Sequence, residues 1–159
     1  MDARELEFRT IELPRDAALC VAFRRDAHAA SFGPEQSGFD AAEYLSWLAG
    51  RLVEFPEGHL HVWRDEKIVG QLEMIQRKDP PDAGYVNLFY LVPEVRGGKL
   101  GGALHDYVTR FFRERGVRRL RLSVSPSNER AVRYYAKHGW TSLGPRPGDE
   151  KVHRWELLL

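Results

Sequence analysis

Residues 93–107, PEVRGGKLGGALHDY, place four glycines within six positions at the entrance to an amphipathic run. Glycine costs roughly 0.5–1 kcal/mol relative to alanine in regular structure, so glycines opening a helix call for a specific cause. Free backbone N–H groups in such a loop, added to the positive end of a helix dipole, form a cradle for an anion, above all phosphate. A second stretch, NERAVRYYAKHGW at 128–140, sets an amide side chain at a helix start and two phenols about two turns later. Those groups suit hydrogen bonding and proton delivery. A third, VGQLEMIQ at 69–76, carries the carboxylate of Glu73 on a strand that reads as central.

Several glycine-loop chemistries are excluded by their own requirements. A nucleotide P-loop needs a hydroxyl residue after its lysine to hold Mg²⁺, and here Leu100 follows Lys99. A dinucleotide fingerprint fits Gly98 and Gly101 but finds Arg96 at its first glycine, and RLRLSV offers no acidic residue for a ribose. A tight turn with close helix packing explains some of the glycines, but a turn alone rarely needs four. Among six histidines only His59 and His61 lie close, on one side of a strand, so no metal site is expected.

The 159 residues, 43% hydrophobic and 30% charged, suit a single domain over 1–159. A net charge of +1 gives no global field toward nucleic acid or an anionic membrane. Any anionic ligand must therefore be held locally. The single cysteine, Cys20, cannot form an internal disulfide, the start is too charged for a signal peptide, and the apolar stretches are too short to span a bilayer. These features point to a soluble, cytoplasmic protein with neither nucleic acid nor membrane as partner.

The elements that must position the chemistry follow from the periodicity. LEFRTIEL alternates as a strand; 15–30 and 39–55 repeat as helices, the second with Asp40 as its N-cap. HLHVWR and KIVGQLEMIQR form a hairpin across the turn DE, and GYVNLFYLV adds a third strand in meander order. A helix over 99–115 ends at Gly116, VRRLRLSV is a strand, a helix over 128–138 closes at Gly139 with Trp140 folding back, and two strands finish the chain. The order β-αα-βββ-α-β-α-ββ predicts an α/β sandwich around a mixed, mostly antiparallel sheet with helices on both faces. Its single strand–helix–strand crossover implies one locally parallel pair.

The two glycine and tyrosine stretches together resemble the GNAT superfamily of acyl-CoA-dependent N-acetyltransferases. LFYLVPEVRGGKLGGAL is similar to the family's Arg/Gln-x-x-Gly-x-Gly/Ala loop in its strand, Pro93, Arg96 and Gly101, and departs from it at Lys99, where the pattern has glycine. NERAVRYYAKHGW matches Asn-x-x-Ala-x-x-x-Tyr-x-x-x-Gly-Phe at Asn128, Ala131, Tyr135 and Gly139, with Trp140 for the last residue. The resemblance covers about 84–144. It implies acetyl-CoA as cosubstrate, with the diphosphate gripped by the amides of Gly97, Gly98, Lys99, Leu100, Gly101 and Gly102 and with Arg96 and Lys99 adding charge.

The resemblance also implies that amides near Leu91 and Val92 polarise the carbonyl where two strands splay, that Asn128 caps its helix or bonds a pantetheine amide, and that Tyr135 protonates the leaving thiolate. A thiol near pKa ~8.5 and a phenol near ~10 make that delivery mildly uphill but feasible. The general base is open between a residue and a water wire. Ser123 and Asn87 stand where some members carry carboxylates, and Glu73 is the remaining candidate, on a face that a half-covered strand would turn to solvent. A small-molecule or peptide amine is the expected acceptor. Asp26, Glu35, Asp79 and Asp82 are candidate contacts for a cation, and a homodimer stays open. The rival is a non-catalytic acyl-CoA-binding module.

Overall fold

The computed structural model describes residues 6–33, 38–77 and 82–159. Helices α1 (Ala17–Phe32) and α2 (Ala41–Glu54) follow strand β1 (Leu6–Thr10), which is shorter than its alternating pattern suggested. Asp40 caps α2 as expected, its Oδ1 accepting from the Glu43 amide at 3.1 Å. Strands β2 (His59–Arg64) and β3 (Lys67–Arg77) form a hairpin whose turn residues Asp65 and Glu66 have φ of 49° and 63°. Two consecutive positive φ values give the turn the twist that a two-residue hairpin needs.

Strand β4 (Ala83–Leu91) completes the meander, and α3 (Leu100–Glu114) crosses to β5 (Arg119–Val124). Helix α4 (Glu129–Lys137) and strands β6 (Thr141–Arg146) and β7 (Asp149–Leu158) end the chain. The seven-stranded sheet has the order β1-β2-β3-β4-β5-β7-β6, and β4–β5 is its parallel pair. Strand β7 pairs with both β5 and β6, an insertion that periodicity does not reveal.

Alternation along β3 divides the core between the two faces. Leu72 and Met74 pack with Leu104, Val108 and Phe112 of α3 and with Tyr135 of α4. Each such fully buried side chain contributes roughly 1.5–3 kcal/mol. On the opposite face Cys20 of α1 and Tyr44 and Leu48 of α2 form a second cluster.

The β4–β5 contact is brief. Only Gly84 with Leu120 and Tyr85 with Arg121 pair, after which the two strands part. The β3–β4 register runs Glu73 with Leu88 and then Met74 with Val86, leaving Asn87 as an extra residue on β4. A bulge bends the strand that carries it. It falls two residues past the last β5 pair and turns the end of β4 away from β5.

Where the strands do meet, α3 presses close. A Cβ added to Gly84 lies 2.5 Å from the Phe112 ring and 2.8 Å from Leu120. Gly84→Ala is therefore expected to destabilise the fold by about 1–3 kcal/mol through overpacking, read as a lower urea midpoint. An unchanged midpoint would show that this crossing is not tightly packed.

Candidate functional site

The glycine loop leaves the end of β4 and enters α3 with its amides unpaired. The first backbone bond of the helix start runs from Ala103 N to Lys99 O at 3.2 Å, and among the described residues none of the amides from Gly97 to Gly102 has a hydrogen-bond acceptor. Helix α3 also lacks the side-chain cap that Asp40 and Asn128 give α2 and α4. Gly97 takes the left-handed conformation at φ 80°, whereas Lys99, at φ −77°, sits in the ordinary right-handed region, so its departure from the family pattern introduces no strain. A Cβ on Gly97 or Gly102 meets nothing within 4 Å, so packing within the protein does not require glycine there. Gly101 differs, because a Cβ there would lie 3.1 Å from the Tyr134 ring. Leu100 turns its side chain into the core, and Lys99 is exposed.

Arg96 fastens the loop. Its Nε donates to Leu91 O at 2.7 Å, and one Nη donates to Asp26 Oδ2 at 2.8 Å. Tyr90 donates its hydroxyl to the same Asp26 oxygen at 2.6 Å. Burial works to raise the Asp26 carboxyl, but the bonds from Tyr90 and Arg96 outweigh it and hold the pKa below the usual carboxylate range. Asp26 is thus a latch between α1 and the loop rather than a free receptor for a cation. Asp82 is exposed at the start of β4, and Glu35 and Asp79 lie outside the described residues.

The two amides at the end of β4 prove unequal. Val92 N donates to Val69 O at 2.9 Å, so it continues the β3 ladder and is not free to polarise a carbonyl. Antiparallel pairs alternate between bonded and non-bonded, so Leu91, one residue back and opposite Gly70, directs its N–H away from β3 into the gap beside β5.

Helix α4 supplies the other wall. Asn128 caps it, Oδ1 accepting from Ala131 N at 3.2 Å, while its Nδ2 reaches Ser31 Oγ of α1 at 3.4 Å. The two tyrosines divide their tasks. Tyr134 donates to Gly101 O at 2.7 Å and pins α4 to α3. Tyr135 is buried, lines the cleft, and its hydroxyl has no hydrogen-bond partner among the described residues. Burial alone pushes the Tyr135 phenol above its ordinary value. Trp140 donates its indole N–H to His105 Nε2 at 2.8 Å, a tie to α3 that the motif did not reveal. Burial, aided by His138, pushes the His105 imidazole down to about 4, which keeps it neutral and able to accept that bond.

Glu73 departs furthest from expectation. Its face is covered by α1 and α2, the residue is 0% exposed, and it does not line the cleft. Its carboxylate accepts from Arg24, from the Tyr44 hydroxyl at 2.6 Å and from Gln71 Nε2 at 2.8 Å. Gln71 Oε1 in turn bonds His61 Nε2 at 2.9 Å. Among the described residues no group of three or more potential metal-ligating side chains is gathered.

Loop, strand ends and α4 together enclose a cleft of about 610 Å³ lined also by Asn87, Ser123, Arg24 and His28. Arg96, Arg130, Arg133 and Lys137 add positive charge to its wall, and no Asp or Glu lines it among the described residues.

The model of the acetyltransferase (GNAT) family matches residues 21–140. No curated protein matches the chain. Among solved structures, the PaiA N-acetyltransferase of Thermoplasma acidophilum, in complex with coenzyme A, superposes with a TM-score of 0.76 at 17% identity over 97% of this chain and 99% of that one. The spermidine N-acetyltransferase of Vibrio cholerae, in complex with CoA and spermine, gives 0.71 at 16% identity over 98% and 96%. Ribosomal-protein-alanine N-acetyltransferase from Brucella melitensis gives 0.70 at 19% identity over 96% and 99%. At these identities the likeness extends to the fold alone.

The enclosed position of Glu73 assigns it a structural role with a measurable cost. Glu73→Gln leaves the Arg24 charge without its partner and is expected to destabilise the protein by about 3 kcal/mol in chemical denaturation. Unchanged stability with a collapse in turnover would instead restore Glu73 as the base.

Proposed function

We propose that this chain, which belongs to the acetyltransferase (GNAT) family, is an N-acetyltransferase that moves an acetyl group from acetyl-CoA to an amine by direct attack. The observation that carries this reading is the run of six unpaired amides from Gly97 to Gly102, set at an uncapped helix start beside the parting of β4 and β5. Unpaired amides, a positive helix end and glycine positions open to the cleft fit a diphosphate, and the cleft volume accommodates an extended arm behind it.

Acetyl-CoA supplies an activated thioester whose sulfur departs as a thiolate. The amides of 97–102 bind the diphosphate, while Arg96 keeps the loop in place through Asp26 and Leu91 O. The Leu91 N–H polarises the acetyl carbonyl from a fixed position, which requires no reorganisation during reaction. Tyr135 delivers a proton to the sulfur. Burial disfavours a phenolate, but it disfavours a thiolate in the same cleft too, so the difference between donor and acceptor matters more than the raised value.

With Glu73 enclosed, deprotonation of the amine falls to water oriented by Asn87 and Ser123, both on the cleft wall. Such a water relay replaces a carboxylate with polar side chains that hold a hydrogen-bonded chain to solvent.

Tyr135→Phe tests the assignment. Turnover measured by thiol release is expected to fall about 10²-fold, the scale of one positioned acid, with acetyl-CoA affinity nearly unchanged. Because burial keeps Tyr135 protonated, the wild-type rate should show no falling limb from this group below about pH 10. Equal turnover of the variant removes the role; acetyl-CoA binding without turnover of any amine favours a binding module.

A further inference from the structure

Five Arg and Lys side chains line the cleft, and the protein neutralises two of them. Arg24 is paired with the buried Glu73, and Arg96 with Asp26. The other three, Arg130, Arg133 and Lys137, follow one another on α4 at spacings of three and four, so they form one exposed stripe along the helix. Among the described residues Arg130 and Lys137 have neither an ion pair nor a side-chain hydrogen bond. Arg133 reaches only Glu129 of its own helix, at 3.9 Å and with 73% and 81% of the two side chains exposed, a pairing that contributes little. Partial burial and the neighbouring Arg96 both hold the Arg130 guanidinium below its usual value, so these cations are gathered against their mutual repulsion.

The stripe borders the glycine loop. Tyr134, within it, donates to Gly101 O at 2.7 Å, and His138, at its end, stacks on His105 of α3 with ring centres 4.3 Å apart. Coenzyme A brings two separate anionic groups to that place. The amides of 97–102 and the helix start suit the diphosphate, which leaves the ribose 3′-phosphate, one sugar ring away, without a partner in the loop itself. A phosphate monoester carries about −1.5 to −2 charge at pH 7 and three strong acceptor oxygens. Long cationic side chains beside the loop, with no acid of the cleft wall to neutralise them, match that group in charge and in donors.

We infer that the edge of α4 formed by Arg130, Arg133 and Lys137 recognises the ribose 3′-phosphate of the cosubstrate, so that the protein selects coenzyme A over its dephospho form. This rests on the acetyl-CoA reading and specifies which form of the cosubstrate is accepted.

Dephospho-coenzyme A lacks only that phosphate, so the two ligands isolate it. Titration calorimetry of the wild-type protein at low salt is expected to show coenzyme A binding about tenfold or more tightly than dephospho-coenzyme A, the scale of three exposed charge pairs. In Arg130→Gln/Arg133→Gln/Lys137→Gln the preference should fall to within about twofold, with the ligand-free melting temperature near that of wild type. Each single Gln variant, one exposed change apiece, should narrow the preference part of the way. Equal affinity of the wild-type protein for the two ligands overturns the inference. So do single variants that all keep the full preference, or a triple variant that weakens both ligands by one factor, since the stripe would then serve the diphosphate or the fold. Binding of both ligands without preference leaves the acetyltransferase reading standing, whereas binding of neither to the wild-type protein removes both.

Discussion

The cleft exists because β4 parts from β5. Two register pairs hold the strands together, and the extra residue at Asn87 then bends β4 away. Three consequences follow from that one bend. The Leu91 N–H loses the neighbour that would otherwise pair it, the glycine loop after β4 and helix α4 after β5 end on opposite sides of one gap, and Tyr135 gains an open space to face. A fully paired sheet would have satisfied the Leu91 N–H and closed the gap between the two strands.

Two polar systems keep the gap in shape from either side. Arg96 and Tyr90 converge on Asp26, joining the loop and β4 to α1, while Ser127 Oγ donates to Ser31 O at 2.7 Å and ties the start of α4 to the same helix. Beneath α1 and α2, Glu73, Tyr44, Gln71 and His61 satisfy one another in the core. A buried ion pair such as Arg24–Glu73 is a weak source of net stability, since desolvation offsets its attraction, but it fixes the direction of Arg24 at the cleft wall.

Much of this was legible in the sequence where the cause is local. The Asp65–Glu66 turn, the caps at Asp40 and Asn128 and the helix stops at Gly116 and Gly139 depend on residues within a few positions, and each stands where its type suggests. The glycine loop was legible for the same reason. What long-range packing decides was not. The alternation of Gln71 and Glu73 with Leu72 and Met74 looks like a half-exposed strand, yet helices cover both faces of β3, and the polar residues are buried by pairing with one another. The bonding of the Val92 amide, the bulge at Asn87 and the place of β7 depend on register between distant segments. Asp26 reads from the sequence as a candidate contact for a cation because its partners, Tyr90 on β4 and Arg96 in the loop after it, lie far along the chain.

On the proposed reading, the exposed amides at the start of α3 hold the diphosphate of coenzyme A. Titration calorimetry of the wild-type protein and of Gly102→Val with coenzyme A tests it most directly. One saturable site per chain is expected, with an affinity about tenfold or more weaker in the variant, whose ligand-free melting temperature stays near that of wild type. Absence of saturation at millimolar coenzyme A, or equal affinity in the two proteins, would contradict it.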